Sequence, residues 1–207
     1  MMAYDFHKGI NTLIRRDKIF NLLVNQLGFI KKKKRNLNFE VLLKIIINQQ
    51  LSNKVANTIF LRLKKLLTLS EEITPSCILG LESNKIREVG ISFSKISFIK
   101  DLSKELIKKP KFIDGLKELD DENAKIQIEK LKGFGPWSSN IILLFYLDRI
   151  DIFPEGDTTL IKAYKNIYKK ELDKKLTAIN WAIPYRSILA LYFWKWVDNG
   201  MHPLKKL

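Results

Sequence analysis

Two stretches of the sequence combine residue types that could do chemistry, and the first is a glycine turn at 131–135. Gly133 and Gly135 flank one apolar residue, Phe134, ahead of an apolar helix predicted to begin at about Trp137. Glycines can adopt backbone angles closed to other residues and let a partner approach closely. The amides that follow open a helix, so N–H groups and the positive end of the helix dipole point outward together. The turn is suited to a phosphate of a DNA backbone, although a plain helix–helix connection would use the same glycines.

The second stretch is FPEGD at 153–157, which ends in an acid. Asp157 follows Trp137 at a distance that one helix and a short loop can span, so its carboxylate can return toward the face of the glycine turn. An aspartate directly before a helix also serves as an N-cap, which is the simpler interpretation of an isolated Asp at such a place. The two roles are compatible, because a cap holds the carboxylate rigidly at a helix start.

The elements that must position these groups are helical nearly throughout. Apolar residues recur at spacings of three and four. The predicted helices lie at 5–26, 39–47, 52–67 with Ser52 as N-cap and Val55 inward, a short segment after Thr74, 94–108, 120–130, 137–147, 158–169, 172–182 and 185–197. The sequence therefore predicts an all-α fold.

Composition limits the partner, the cofactor and the compartment. Lys and Arg number 37 against 22 Asp and Glu, a net charge of +15, which favours a polyanionic partner, although a lysine-rich proteome would give the same excess. The single cysteine and two histidines exclude a disulfide framework and argue against a zinc or iron–sulfur centre. The N-terminus does not resemble a signal peptide and no apolar run is long enough to span a bilayer, so we expect a cytoplasmic protein.

Four stretches resemble, in the expected order, the helix-hairpin-helix (HhH-GPD) DNA glycosylase superfamily and its 3-methyladenine DNA glycosylase II-like branch. They are IIINQQLSNKVA (45–56), LKGFGPWSSN (131–140), FPEGD (153–157) and the stretch that begins WAIPYRS at 181 and runs to 194. The first resembles the segment ahead of the family's DNA-wedging loop. The second and third resemble its hairpin and essential aspartate, and the fourth the late helix of the alkylated-base branch.

This resemblance implies an architecture, a reaction and a partner. The all-α fold would have two helical lobes around a DNA-binding cleft: a middle-helix lobe at about 36–130, and a second lobe from about 1–30 plus 131–207. The activity would be that of a monofunctional DNA N-glycosylase of base excision repair, acting as a monomer on double-stranded DNA with a damaged, alkylated base, in the nucleoid of a bacterial-type cell and without membrane contact. No cofactor or catalytic metal is expected, although a monovalent cation could bridge hairpin carbonyls and a DNA phosphate.

The resemblance also assigns residues. Asp157 would be the catalytic carboxylate, stabilising the positive charge that develops on the sugar and orienting or deprotonating the attacking water. Residues in contact with DNA would be Gly133, Phe134, Gly135, Trp137 and Ser138 at the hairpin, and Gln50 and Leu51 at the minor-groove wedge, where a side chain fills the space of the flipped base. The base pocket would contain Trp137, Tyr185 and Ile141.

Several alternatives stay open. Bifunctional relatives carry a Schiff-base lysine where this chain has Trp137, which predicts hydrolysis without a lyase step. Ile141 stands where some alkylation-repair relatives have an aromatic residue, so a deaminated or oxidised base remains an alternative substrate. Trp181 and Trp194 are weaker stacking candidates, since aromatics at helical spacing are more typical of a core, and Arg186 could contact the backbone or pair with an acid. A non-catalytic helix-hairpin-helix DNA-binding module and a helical protein–protein adaptor are the rival classes.

Overall fold

The computed structural model describes residues 6–67, 72–173 and 175–204. Within these ranges the chain forms α-helices, one 3-10 helix and no strand, which confirms the all-α prediction. The α-helices are α1 (Phe6–Arg16), α2 (Lys18–Leu27), α3 (Phe39–Asn48), α4 (Asn53–Leu66), α5 (Pro75–Gly80), α6 (Ser83–Glu88), α7 (Phe93–Lys108), α8 (Phe112–Glu118), α9 (Asp121–Glu129), α10 (Pro136–Phe145), α11 (Thr158–Tyr168) and α12 (Arg186–Asp198). The 3-10 helix, Thr177–Ala182, lies between α11 and α12. None of the helices in the described ranges is long and apolar enough to cross a membrane.

The chain divides into two compact units. Unit 1 comprises Met1–Arg35 and Asn140–Leu207, and unit 2 comprises Asn36–Ser139. The division passes through α10, so the glycine turn belongs with the middle helices rather than with the segment that follows it. Both partners of Gly133 belong to unit 2. The Gly133 carbonyl accepts a hydrogen bond from the side chain of Gln49, and Gly133 packs against Phe98.

In unit 1, the prediction of one helix over 5–26 is wrong, because the chain breaks at Asp17 into α1 and α2. The Asp17 carboxylate accepts a hydrogen bond from the Phe20 amide and so caps α2. The hydroxyl of Tyr168, from α11, donates to the same carboxylate oxygen at 2.9 Å. A side chain that competes for backbone donors favours a new helix start over a continuous helix. The predicted first residue of that helix, at position 5, lies outside the described residues.

The predicted helix at 172–182 is also wrong over its first half. Asp173 accepts hydrogen bonds from the amides of Thr177 and Ala178, both at 3.0 Å, and Leu176 adopts a left-handed backbone with φ of 56°. These bonds satisfy the first amides of a helix that begins only at Thr177, so the helical part is Thr177–Ala182, which is a 3-10 helix.

Unit 2 is built on α3, α4 and α7. The predicted apolar face of α3 is buried, and Ser52 caps α4 by accepting from the Val55 amide, as predicted. Val55 itself does not face inward: it is 46% exposed, whereas Ile59 and Leu63 are buried. The inward stripe of α4 starts at Ala56, and Val55 lies one position off it.

Candidate functional site

The glycine turn connects α9 to α10 and is fixed from within unit 2. Gly133 has a φ of 86°, and a Cβ on it would lie 2.7 Å from the Phe98 ring. Both the backbone angle and the lack of space therefore require glycine here. The Phe134 amide donates to the Leu131 carbonyl at 3.0 Å. The Phe134 side chain is buried, so the predicted contact of this side chain with DNA is not supported. That burial anchors the turn and leaves its backbone to face a partner.

The second glycine of the turn leads directly into α10. The Gly135 carbonyl accepts a hydrogen bond from the Ser139 amide at 3.0 Å, and α10 starts one residue earlier than predicted, at Pro136. Nothing lies within 4 Å of a Cβ built on Gly135. The buried Ser139 hydroxyl donates to Glu129 at 2.7 Å and so joins the end of α9 to the start of α10. The turn therefore ends in open space at a helix N-terminus, which attracts anions.

The two predicted contact residues that follow the turn differ in exposure. Trp137 is 39% exposed, so simple burial in the core does not describe it. Ser138 is only 3% exposed, which places its hydroxyl inside the protein rather than on the surface. The predicted contact of Ser138 with DNA is therefore not supported, because the residue as a whole is buried.

The second surface feature of unit 2 is the loop of residues 49–52, which contains the predicted wedge residues and is called the wedge loop below. Gln50 is exposed and has a φ of 59°, and Leu51 is 36% exposed. The Gln49 side-chain amide donates to the Gly133 carbonyl at 2.6 Å, and the Lys95 amine holds two carbonyl oxygens at the end of α3. The structure thus joins the loop and the glycine turn, two features that the sequence linked only through family resemblance.

The carbonyl oxygens of the turn have internal partners. That of Leu131 accepts from the Phe134 amide, and that of Gly133 accepts from Gln49. A carbonyl has two lone pairs, so both oxygens can still meet the monovalent cation that the resemblance allows. Over the described ranges, no group of three or more His, Cys, Asp or Glu side chains is arranged to hold a metal ion.

In unit 1, Asp157 is held at the start of α11. Its carboxylate accepts a hydrogen bond from the Leu160 amide at 3.0 Å, and its own amide donates to the Pro154 carbonyl at 2.9 Å. The residue is 9% exposed. The N-cap interpretation is confirmed, and the cap fixes the carboxylate at the end of the FPEGD stretch.

The segment that leads to Asp157 is clamped to the start of α12. Arg186 forms a two-point ion pair with Asp151, with Nε–Oδ1 at 2.8 Å and Nη2–Oδ2 at 2.7 Å, and this hydrogen bonding raises the pKa of Arg186. The buried Ser187 hydroxyl donates to the Arg149 carbonyl at 2.8 Å and accepts from the Ile152 amide at 2.9 Å. Arg186 thus pairs with an acid, one of its two predicted roles, and Ser187 is a support that sequence reasoning missed.

The aromatic candidates separate into core and pocket residues. The ring of Trp181 packs near Phe20, with centroids 6.1 Å apart, and Trp194 stacks on Phe145 at 5.6 Å, so both serve the interior of unit 1. Tyr185, directly before α12, and Ile141, in α10, are half-buried. The roles of Tyr185 and Ile141 in a base pocket stay predictions from the resemblance.

In the described ranges the regular structure is all helical, a glycine turn leads into α10 and an aspartate caps α11, which is the arrangement that the resemblance implied. Residues 43–182 match the model of the HhH-GPD superfamily base excision DNA repair protein. This match covers more than half of the chain, and the chain belongs to that superfamily.

Relatives and solved structures carry the likeness further. The chain is 27% identical over 168 residues to DNA-3-methyladenine glycosylase 1 of Schizosaccharomyces pombe, which covers 76% of this chain and 71% of the relative. It is 25% identical over 202 residues to the alkylbase DNA glycosidase-like protein of the same yeast, which covers 92% and 93%. The solved structure of a 3-methyladenine DNA glycosylase from that yeast, in complex with abasic DNA, superimposes with a TM-score of 0.81 at 25% identity, over 94% of this chain and 98% of that one.

Proposed function

We propose that this chain is a monofunctional DNA glycosylase that hydrolyses the N-glycosidic bond of an alkylated base flipped out of duplex DNA. The observation that carries the proposal is the nearly buried Asp157 carboxylate, fixed as the cap of α11 in a chain of the base excision superfamily. The names of the relatives, which are glycosylases of 3-methyladenine and alkylated bases, favour this substrate class.

Binding to DNA starts at the glycine turn. The open space at Gly135 admits a backbone phosphate oxygen, and the N-terminus of α10 supplies the positive end of its dipole. The net charge of +15 adds long-range attraction to the duplex. Phe134 contributes by anchoring the turn from inside.

Extrusion of the base is the task of the wedge loop. The exposed Gln50 enters the minor groove with Leu51 beside it and fills the space that the flipped nucleotide leaves. Glutamine also offers hydrogen bonds to the orphaned partner base. Unstacking costs a few kcal/mol and is easier for damaged bases, so this step contributes to selectivity.

Bond cleavage follows at Asp157. As the bond to the base breaks, its electron pair leaves with the base and positive charge develops on the sugar, which the ionised carboxylate stabilises. Water adds to the sugar carbon, one proton passing to Asp157 and on to solvent. Trp137 stands where bifunctional relatives have lysine, so no covalent adduct with the chain forms and the abasic strand stays intact.

The pocket side chains select the base by stacking. The resemblance assigns Trp137, Tyr185 and Ile141 to this task, and aromatic rings such as those of Trp137 and Tyr185 favour a base made cationic by alkylation. The resemblance implies two lobes that divide near residue 130, whereas the two compact units divide between residues 139 and 140. The protein works as a monomer on nucleoid DNA in the cytoplasm.

The test is excision from duplex DNA that carries one 3-methyladenine-type or hypoxanthine lesion, with and without hot alkali afterwards. Strand breaks that appear only after alkali are the expected result. Breaks before alkali would contradict the argument from Trp137. Release of an oxidised base alone would move the substrate to another class, and salt-sensitive binding without release of any base would leave a DNA-binding module.

A further inference from the structure

The backbone at Gln50 adopts a conformation that residues with side chains rarely hold. Its φ of 59° falls in the left-handed region, directly after the end of α3. Such a conformation persists in a non-glycine residue only where the surroundings determine it. In unit 2, the side chains of Lys95 and Gln49 hold the loop in this conformation.

Lys95 holds the carbonyl groups that lead into the loop. Its amine donates to the Ile47 carbonyl at 2.8 Å and to the Gln49 carbonyl at 2.7 Å. The last carbonyls of a helix lack partners within the helix, and a positive charge there is favoured by the helix dipole. These two bonds direct the amine into the protein, and partial burial lowers the pKa of Lys95.

Gln49 holds the loop from the other side. Its side-chain amide donates to the Gly133 carbonyl at 2.6 Å, and Gly133 is itself pressed against the Phe98 ring. Phe98 and Lys95 are three residues apart on α7, so they share one face of that helix. One helix therefore supports both the wedge loop and the glycine turn.

We infer that Gln49 and Lys95 are positioning residues for base extrusion, which hold Gln50 in its left-handed conformation and lock the wedge loop to the phosphate-binding turn. This inference rests on the proposed function, because it takes Gln50 as the wedge. Contact of the turn with the DNA backbone then sets the depth and register at which Gln50 enters the groove. A loop without these two anchors still reaches the DNA but enters with variable geometry, and small misplacements are costly in rate.

The experiment compares one lesion in two contexts: paired in an intact duplex, and opposite an abasic position, where the base is already poorly stacked. The variants are Gln49→Glu, which keeps the shape but replaces the donor, and Lys95→Met, with Lys95→Arg as the conservative form. The matched control is Lys100→Met, because Lys100, also on α7, donates to the Leu81 carbonyl at 2.9 Å away from the wedge loop. Single-turnover excision, thermal melting and binding to undamaged duplex are measured for each.

We expect Gln49→Glu and Lys95→Met to excise the paired lesion about tenfold to a hundredfold more slowly, and the poorly stacked lesion within about threefold of wild type. Lys95→Arg restores most of the rate, and Lys100→Met excises both lesions at the wild-type rate. Equal losses on the two substrates, or a loss in Lys100→Met as large as that in Lys95→Met, would overturn the inference in favour of a general stabilising role.

A second readout separates this inference from the proposed function. Fluorescence of 2-aminopurine at the target position reports unstacking whether or not a bond is cut. If wild type cuts no base but unstacks the probe, and Gln49→Glu does not, the positioning role holds and the glycosylase proposal fails. If the wild type neither cuts nor unstacks the probe, both the wedge role of Gln50 and the positioning role of Gln49 and Lys95 are refuted. Excision by wild type with unchanged unstacking in both variants would refute the inference alone.

Discussion

At the scale of single residues, Asp157 combines two demands on one carboxylate. As N-cap it accepts the Leu160 amide, and as catalytic group it must keep full negative charge. Asp157→Asn separates these demands, because an amide oxygen can still cap the helix but cannot carry the charge. We expect excision to fall about a hundredfold or more, with DNA binding and melting temperature little changed. Asp120→Asn, which alters the cap of α9 in the same way, is the matched control and should retain activity. Wild-type excision by Asp157→Asn would end the catalytic assignment.

The two glycines of the turn differ in what they do, although the sequence presents them as a pair. A methyl group on Gly133 would meet the Phe98 ring and force a residue with a side chain to a φ of 86°. Gly133→Ala should therefore lower the free energy of unfolding by about 1–3 kcal/mol. Gly135→Ala meets nothing inside the chain, so its stability should change by less than about 0.5 kcal/mol. Its methyl group would instead occupy the proposed phosphate site and weaken DNA binding about tenfold. Denaturant titration and binding to undamaged duplex test the two variants. Wild-type affinity in Gly135→Ala would show that this turn does not bind a phosphate.

At the scale of elements, apolar periodicity located most helices because the spacing of three and four is set locally. Breaks and supports depend on partners far along the chain, which no local pattern contains. The break at Asp17 is reinforced by Tyr168, 151 residues away. The partners of Lys95 lie 46 and 48 residues from it, and those of Ser187 lie 35 and 38 residues from it. Family resemblance named Asp157 and Gln50 as candidates, but the groups that hold them in place are visible only in the folded chain.

The clamp between the 149–152 segment and α12 gives a prediction at this scale. Ser187→Ala removes the acceptor of the buried Ile152 amide and a donor to the Arg149 carbonyl. Loss of partners for buried backbone groups costs about 1–3 kcal/mol, and the released segment leads directly to the FPEGD stretch, so both stability and excision rate should fall. Ser103→Ala is the control, because the Ser103 hydroxyl is equally buried but bonds only back to Ile99 within α7, which contributes little. Calorimetry and single-turnover kinetics test the contrast, and similar losses in both variants would show that the clamp has no particular role.

At the scale of the whole molecule, the charge of +15 makes the salt dependence of DNA binding one of two tests that separate the classes left open by the sequence. Binding through phosphates releases counterions, so affinity for duplex DNA should fall about a thousandfold or more between about 50 and 200 mM salt if about six phosphates are contacted. Asp157→Asn should show the same slope, because Asp157 acts on the sugar rather than through phosphate contacts. Titrations of undamaged duplex at several salt concentrations measure this directly. A slope near zero would point to a protein–protein adaptor, while a steep slope without any base release would point to a binding module. Only a steep slope together with Asp157-dependent base release identifies the proposed enzyme. The slope reports binding to DNA phosphates, and the release reports bond cleavage at the Asp157 carboxylate.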